Sequence, residues 1–292
     1  MGVVFSRIKI HQSQVKIVYN PPDILPPDPD AIAFLTAAGI TDPTITSAID
    51  TLVKDLKTSG VWARSLALYP FVGGTAATHK WNLKDPRDLN AAYRLTFFGG
   101  MTHSSNGVLP NGVNAYARTY LNFNTTVFPE ESSNLSYYSR SNILESSGNG
   151  ALLGAFGAVS PTWGNYLIVG NNNSVLGPIS LYRAQFASTG GSNYDNNVST
   201  IYSGFFQGNF LTNSLKLYRN NTRIDNVSGG VPRAMRGFEC FLFCYSREGT
   251  ILNVPTAKES AWAGITFGLT DTQILDYNTA IQTFQTTLGR NV

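Results

Sequence analysis

The sequence predicts a mainly β protein, an antiparallel jelly-roll sandwich with helices before and after it. Short runs rich in Tyr, Phe, Val and Ile recur between residues 61 and 267, and turn clusters such as SSGNG, GNNNS and STGGS separate them. No helical periodicity interleaves with these runs, which favours antiparallel rather than parallel pairing. The chain of 292 residues is 42% hydrophobic and 12% aromatic, enough to build a sizeable core.

About ten runs have the length and composition of strands. They are VWARSLALYP, YRLTF, AYARTYL, LSYYSR, NYLIVG, SLYRAQF, TIYSGFF, SLKLYRNNTRI, FECFLFCYS and AWAGITFG.

Two helices are predicted ahead of the sandwich. Asp30 is the predicted N-cap of a short helix that ends at Gly39, and Asp42 caps a longer one with Pro43 at its first position. Gly60 lies just past the end of the second helix. Its apolar residues share one face at helical spacing, which predicts a docked amphipathic helix: Ile45, Ile49, Leu52, Val53 and Leu56.

A third helix is predicted at the end of the sequence. Thr270 and Gln273 have the spacing of a capping box, Asp271 favours the positive end of the helix dipole, and Gly289 ends the helix. This helix suits docking on the sandwich, or equally a helical seam between subunits.

The first 30 residues are predicted to be an arm and a linker. Residues 3–19 hold two short alternating runs typical of strands, and PPDILPPDPD favours extended polyproline geometry. The arm strand pairs either with another chain or with the edge of its own domain. We therefore expect an arm and Pro-rich linker at 1–30 that serves attachment or oligomerisation, a helical collar at 31–60, and the sandwich with its closing helix at 61–292.

Charge and cysteine content argue against several classes of function. The net charge is +3 and no stripe of Lys or Arg appears, so a nucleic-acid partner is not expected. No apolar run approaches the ~18 residues of a membrane span, and no signal peptide is recognised. Cys240 and Cys244 would lie too far apart on one strand for a disulfide, so both are expected to be buried free thiols.

The segment YPFVGGTAATHKWNLKDPRDLNAAYRL, residues 69–95, concentrates charge in a chain with 13% charged residues. It lacks the pattern of a phosphate loop, and neither His11 nor His103 stands at a ligand spacing from His79. Arg87 and Asp88 are expected to pair with each other or with nearby backbone. The segment is therefore predicted to be a structural corner between the helices and the sandwich.

Paired carboxylates on one strand, as a glycosidase would use, do not appear. Glu130 and Glu131 are adjacent in a predicted loop, and Glu239 and Glu248 flank a strand singly. No catalytic residues, cofactor or metal are assigned, and an enzyme is not expected. If hydrolysis were detected, three acids would be tested first: Glu145, Asp195 and Glu239.

Two weaker patterns remain. Asp195 and its Asn-rich neighbourhood in GGSNYDNN form either a plain turn or a weak calcium site. Aromatic residues flanked by Asn and Asp are typical of glycan-binding surfaces, although core packing explains a strand aromatic as well. The candidate glycan-binding residues are Trp163, Tyr166, Tyr194 and Asp195.

The segment LYPFVGGTAATHKWNLKDPRDLNAAYRLTFFGGMTHSSNGVLPNG resembles one found in virion-associated proteins of tailed bacteriophages, including crAss-like phages. AFLTAAGITDPTITSAIDTLVKDLKTSGVW and LTDTQILDYNTAIQTFQTTLGRNV resemble the flanking segments of the same group. The resemblance covers about residues 31–292. In addition, SLKLYRNNTRID is similar to a strand of laminin G-like and concanavalin A-like jelly rolls, but Arg219, Asn220 and Asn221 replace the glycine turn.

The resemblance implies a virion structural protein, namely a head fibre, a capsid decoration or a tail appendage. Its expected partners are other virion proteins, contacted through residues 1–30, and further copies of itself in a trimer or dimer. The sandwich is expected to project and to contact host surface glycans. Its expected location is the virion, after assembly in the host cytoplasm. A carbohydrate-binding tail adhesin and, ranked last, a glycan-degrading enzyme are the alternatives.

Overall fold

The computed structural model describes residues 26–124, 126–128, 132–144, 151–157, 163–171, 181–185, 201–212, 214–224, 237–244, 246–247, 250–251 and 256–292. The helices are α1 (Pro29–Ala38), α2 (Pro43–Thr58), α3 (Val61–Arg64), α4 (Ala76–His79) and α5 (Asp271–Thr287), with one 3₁₀ turn at Asn90–Ala92. The strands are β1 (Ser65–Tyr69), β2 (Thr96–Phe98), β3 (Met101–Ser104), β4 (Gly107–Pro110), β5 (Tyr116–Phe123), β6 (Ser132–Ser139), β7 (Ala151–Gly157), β8 (Trp163–Asn171), β9 (Leu181–Gln185), β10 (Gly204–Leu211), β11 (Ser214–Arg219), β12 (Thr222–Arg223), β13 (Phe238–Leu242), β14 (Ser246–Arg247), β15 (Thr250–Ile251) and β16 (Ser260–Thr266).

These strands form two sheets. In sheet A the order is β12-β11-β10-β6-β16-β4-β3, and β1 also pairs with β16. In sheet B the order is β15-β14-β7-β13-β5-β2, with β8 on β7 and β9 on β8. Among the described pairs only β14 and β7 run parallel. The predicted mainly β, antiparallel class is therefore confirmed.

The inner faces of the two sheets share one hydrophobic core. Every second residue along the strands points into this core from both sheets. Examples that are fully buried are Leu121 of β5, Tyr137 of β6 and Leu242 of β13. The sheets therefore pack face to face as a sandwich.

Sheet A is also covered on its outer face. Tyr138 and Trp262 are direct chain neighbours of inward-facing residues, so their side chains point to the opposite face of the sheet. They belong to a second buried cluster that also contains residues of α1, α2 and α5. Strands β6 and β16 are accordingly buried along almost their whole length. The molecule thus has three layers, helices on sheet A on sheet B, and α5 docks on the sandwich.

Polar side chains of sheet A fix where α5 sits. The Asn209 amide donates to the Leu269 carbonyl at 3.0 Å and accepts from the Leu269 N–H at 2.8 Å, just before the helix begins. Gln207 Nε2 donates to the carbonyl of Ile274. Thr270 and Gln273 form the predicted capping box, and Gly289 takes the left-handed conformation after the helix. The sequence signals for this helix are confirmed.

The start of α1 differs from the prediction. Asp28, not Asp30, is the N-cap, because the Asp28 carboxylate accepts from the Asp30 N–H and Pro29 occupies the first turn. Asp28 is further held by Lys57, whose Nζ lies 2.6 Å away. The caps of α2, with Asp42 before Pro43, are as predicted.

One predicted strand is shorter than expected, and one hairpin turns without glycine. VWARSLALYP is not one strand: Val61–Arg64 is a helical turn, and the strand starts at Ser65. The β11–β12 hairpin turns without glycine because Asn220 adopts φ 51°, a left-handed conformation that Asn tolerates. Cys240 and Cys244 are buried and free, as expected.

Candidate functional site

The outer face of sheet B is the open broad surface of the described molecule. Along β5 the side chains alternate between buried and half-buried or exposed, whereas the central strands of sheet A are buried on both sides. No described helix packs on this face of sheet B. It is therefore where the fold leaves side chains available to a ligand.

Aromatic rings line this face. The rings of Phe98 on β2 and Tyr116 on β5 stack, with centroids 4.9 Å apart and planes 12° from parallel. Phe241 on β13 lies next to Tyr116 at 5.9 Å. Phe98 is 37% exposed, so the stacked pair presents an aromatic surface to solvent.

An ion pair lies beside these rings. Arg118 Nη2 lies 2.6 Å from Glu239 Oε2, and Arg118 Nε donates to both carboxylate oxygens at 3.1 Å. These hydrogen bonds raise the pKa of Arg118 above its usual value. The guanidinium also lies 4.8 Å from the centre of the Tyr120 ring.

A β-bulge between β5 and β13 shapes the pair. The register shifts between Glu239 and Phe241, and Tyr120 has φ 57°. The turned backbone lets the Tyr120 N–H donate to Glu239 Oε1 at 2.9 Å. Thr119 Oγ1 binds the Cys240 carbonyl at 2.7 Å. Glu239 is therefore fixed by both side-chain and backbone donors, and its side chain is 13% exposed.

These residues line a groove of about 430 Å³, which we call the aromatic groove. Its described lining residues are Phe98, Tyr116, Arg118, Asn122, Gly237, Phe238, Glu239 and Phe241. The exposed amide of Asn122 offers a donor and an acceptor at one end, and the stacked rings lie at the other.

One of the glycan-binding candidates predicted from the sequence, Tyr166, lies in strand register with residues of the aromatic groove. Tyr166 on β8 is registered opposite Gly154, Gly154 opposite Phe241, and Phe241 opposite Arg118. Trp163 starts β8 and pairs with Gly157. Tyr194, Asp195 and the calcium pattern around them lie outside the described residues.

Sequence reasoning missed the groove itself. The alternation in YARTYLNF predicts an outward row at Tyr116, Arg118, Tyr120 and Asn122, so part of the signal was present. The partner Glu239 is 121 residues from Arg118, and no local pattern connects the two.

Carboxylates are scarce in the groove. Of the described residues that line it, Glu239 alone is acidic, and Arg118 already neutralises it. Glu145, Glu130, Glu131 and Glu248 lie outside the described part of the chain. Among the described side chains, no three metal-ligating residues come together.

The charged segment 69–95 is held by buried polar contacts. Asn82 Oδ1 accepts from the Leu68 and Lys84 N–H groups, and its Nδ2 donates to the carbonyls of Leu66 and Ala92. All four hydrogen bonds lie between 2.9 and 3.1 Å. A single amide therefore joins β1 to the loop that follows it.

The ion pairs of this segment differ from the prediction. Arg87 pairs with Asp85, whereas Asp88 pairs with Lys80 at 2.7 Å and with Arg94 at 3.3 Å. The expected Arg87–Asp88 pair is therefore wrong, because the loop turns Asp88 back toward Lys80.

Two histidines meet in the same region although they are 24 residues apart. His79 Nε2 accepts from the Gly74 N–H at 3.2 Å, so its proton is on Nδ1, which faces Nδ1 of His103 at 3.0 Å. Burial, then His103 and Arg290, lower the pKa of His79 to about 3. His79 is therefore neutral and structural at physiological pH.

No helix in the described ranges is long and apolar enough to cross a membrane.

Comparison with known proteins bears on the fold. Neither a protein-family model nor a curated protein matches the sequence. Among solved structures, a mutant of Trypanosoma rangeli sialidase displaying trans-sialidase activity matches with a TM-score of 0.53 and 10% identity, over 82% of this chain and 39% of that one. Domain 4 of AbnA, a GH43 extracellular arabinanase from Geobacillus stearothermophilus, in complex with arabinotriose, matches at a TM-score of 0.45 and 14% identity, over 73% of this chain and 98% of that one.

Trypanosoma rangeli sialidase in complex with 2,3-difluorosialic acid, a covalent intermediate, matches with a TM-score of 0.45 and 11% identity, over 80% of this chain and 39% of that one. The chain thus spans about 39% of the length of these sialidases. At 10% identity and a TM-score of 0.53, the likeness to the mutant sialidase shows a shared β fold and nothing about activity.

Proposed function

We propose that this chain is a non-enzymatic structural protein of a tailed-phage virion, and that its sandwich binds host surface glycans in the aromatic groove. The observation that carries the binding proposal is the stacked Phe98–Tyr116 pair beside the Arg118–Glu239 pair on the open face of sheet B. The sequence resemblance over residues 31–292 supports the virion assignment. A head fibre, a capsid decoration or a tail appendage fits equally.

The groove has the chemistry that a saccharide needs. A pyranose ring presents an apolar C–H face, which gains by leaving water against an aromatic ring, and a rim of hydroxyl groups. Arg118 and Asn122 supply hydrogen-bonding groups beside the rings, as binding sites require for orientation. The backbone register also relates Tyr166, a residue with the composition of a glycan-binding site, to this row of sheet B.

The groove favours binding over hydrolysis. Glycosidases generally place two carboxyl groups about 5–10 Å apart, one of them free to exchange a proton. The described lining has one carboxylate, and it accepts three contacts from Arg118 and one from the Tyr120 N–H. Both oxygens of this carboxylate are thus already engaged by donors of the protein itself.

Glycan-array binding of the full chain tests the binding proposal. Phe98→Ala and Tyr116→Ala should each weaken binding about tenfold or more, equivalent to ~1.4 kcal/mol. Leu275→Ala is the matched control, since Leu275 is an exposed apolar residue on α5, in the helical layer on the other side of the sandwich. Absence of glycan binding, or equal binding by all variants, would overturn the proposal.

Immunogold labelling of purified phage particles tests the virion proposal. Label on the head indicates a fibre or decoration, and label on the tail indicates an appendage or adhesin. Particles that carry no label, while the chain is present in infected cells, would contradict it.

A further inference from the structure

The charges in the aromatic groove cancel. Of its described lining residues only Arg118 and Glu239 are charged, and they bind each other through three N–H···O contacts between 2.6 and 3.1 Å. The described lining of the groove therefore offers a ligand no net charge. An ionic ligand would give up its hydration there without finding an uncompensated counter-ion.

An anionic sugar would have to compete with Glu239 for the guanidinium. Glu239 is 13% exposed and is also held by the Tyr120 N–H, so it is not displaced easily into water. A carboxylate bound next to it would face a like charge, which is unfavourable. These contacts disfavour uronic acids and other acidic sugars.

The remaining polar groups suit hydroxyl groups. Arg118 lines the groove with a side chain that is 41% exposed, and its hydrogen bonds to Glu239 use Nε and Nη2, which leaves the Nη1 donors for a ligand. The exposed Asn122 amide contributes both a donor and an acceptor. Neutral sugar hydroxyls donate and accept, so they match this set without adding charge.

The groove is also elongated along β5. Tyr116 and Asn122 lie six residues apart on one strand, which corresponds to roughly 20 Å at ~3.3 Å per residue and somewhat less with the bulge. Such a length accommodates an oligosaccharide rather than a single ring. The stacked rings would hold one sugar, and Arg118 and Asn122 would bind hydroxyls of the following ones.

We propose that the aromatic groove selects neutral oligosaccharides and discriminates against acidic ones, with the Arg118–Glu239 pair as the specificity element. This inference rests on the proposed glycan-binding function. In it, Glu239 acts by neutralising and orienting Arg118, and Arg118 contacts the ligand.

Calorimetric titration of the full chain with matched trisaccharides tests the selectivity. The probes are trisaccharides of glucose, galactose, mannose and N-acetylglucosamine, each hexose also supplied as its hexuronate. At least one neutral trisaccharide should bind, and its uronate counterpart should bind at least tenfold more weakly.

The variant Glu239→Gln is the more stringent test, because it removes the negative charge beside Arg118 and leaves the charge of the guanidinium uncompensated in the groove. This variant should narrow or reverse the preference between a neutral trisaccharide and its uronate, whereas Leu275→Ala should keep the wild-type ratio. Circular dichroism and thermal melting confirm that each variant is folded. Gln still offers an acceptor to the Tyr120 N–H.

The outcomes separate the two proposals. Uronates that bind as well as or better than neutral sugars to the wild type would overturn the selectivity and leave glycan binding standing. A Glu239→Gln variant with an unchanged preference would overturn the role given to the ion pair. A wild-type chain that binds neither kind of saccharide would overturn the proposed function itself.

Discussion

The buried guanidinium of Arg290 donates a 2.8 Å hydrogen bond to the carbonyl of Phe71, 219 residues earlier in the chain. Its other donors bind the carbonyls of Pro70 and Ala261 and the Gln285 side chain. Phe71 has φ 45°, a strained value for a bulky residue, so this contact fixes a sharp corner after β1. The end of the described chain thus holds the corner that follows its first strand.

Arg290→Met should destabilise the protein by about 3 kcal/mol or more, because it leaves buried carbonyls without donors. Burial, then Arg140, lower the pKa of Arg290 to about 9, so the side chain is still charged at neutral pH. Urea unfolding measures the loss. Arg87→Met, at an exposed pair with Asp85, is the control and should change little. Equal midpoints for the two variants would contradict the role given to Arg290.

Acid should destabilise the protein through His79. An unfolded histidine titrates near pH 6.5, whereas the folded pKa of His79 is about 3. Between these values the unfolded chain holds the extra proton, so stability falls as the pH is lowered from 6.5 toward 3, by up to ~1.4 kcal/mol per pH unit.

His79→Gln should reduce this dependence, because Gln keeps an acceptor for the Gly74 N–H but does not titrate. Urea unfolding at several pH values between about 6.5 and 5.5 measures it, more than one pH unit above the ordinary pKa values of Asp and Glu. The variant should be less stable at pH 7 and show a shallower slope. Identical slopes for wild type and variant would show that His79 takes up its proton as readily when folded.

Asn82→Ala should cost about 3 kcal/mol or more, since it leaves two N–H groups and two carbonyls of a buried corner unpaired. Asn90→Ala is the matched control in the same segment, because Asn90 is exposed and its side chain accepts one hydrogen bond, from Arg94. The control should stay within ~0.5 kcal/mol of wild type. Thermal unfolding compares the two, and an equal effect of both would show that the corner tolerates the loss.

Removal of residues 1–25 should leave a folded protein that no longer incorporates into particles, if the arm is the attachment device. The truncation stops at residue 25 because Asp28 caps α1 and pairs with Lys57, so a deletion through residue 30 would also unfold that helix end. Thermal melting checks the fold, and complementation of a phage lacking the gene checks incorporation. Normal incorporation of the truncated chain would rule out the anchor.

Local signals explain what the sequence predicted well. The caps at Asp42 and Thr270 and the glycines after the helices act within a few residues, so they are visible in the sequence. The α1 cap shows the limit of such signals. Asp28 and Asp30 both precede apolar residues, and Lys57 pairs with both of them at 2.6 Å. The contact specific to Asp28 is the hydrogen bond from its N–H to the Asp50 carboxylate, 22 residues away, which no local pattern reveals.

Long-range packing explains what the sequence missed. Three contacts that the sequence did not reveal join residues on separate elements. They are the His79–His103 contact, the Arg118–Glu239 pair and the hydrogen bond from the buried Arg290 to Phe71. Sheet A is buried on both faces only because helices from both ends of the described chain cover it, and a strand buried on both sides shows no alternation. Tyr166 was predicted from composition, and it is the register of β7, β8 and β13 that relates it to Arg118.

The three-layer arrangement makes the two broad surfaces of the described molecule different from each other. The described chain enters through α1 in the helical layer, and the aromatic groove lies on the opposite surface, with both sheets between them. A protein tethered to a particle by the segment before α1 would turn its helices toward the particle and its groove toward the surroundings. In the proposed virion role, this polarity would let many copies cover a capsid or tail while every groove stays accessible to a cell surface.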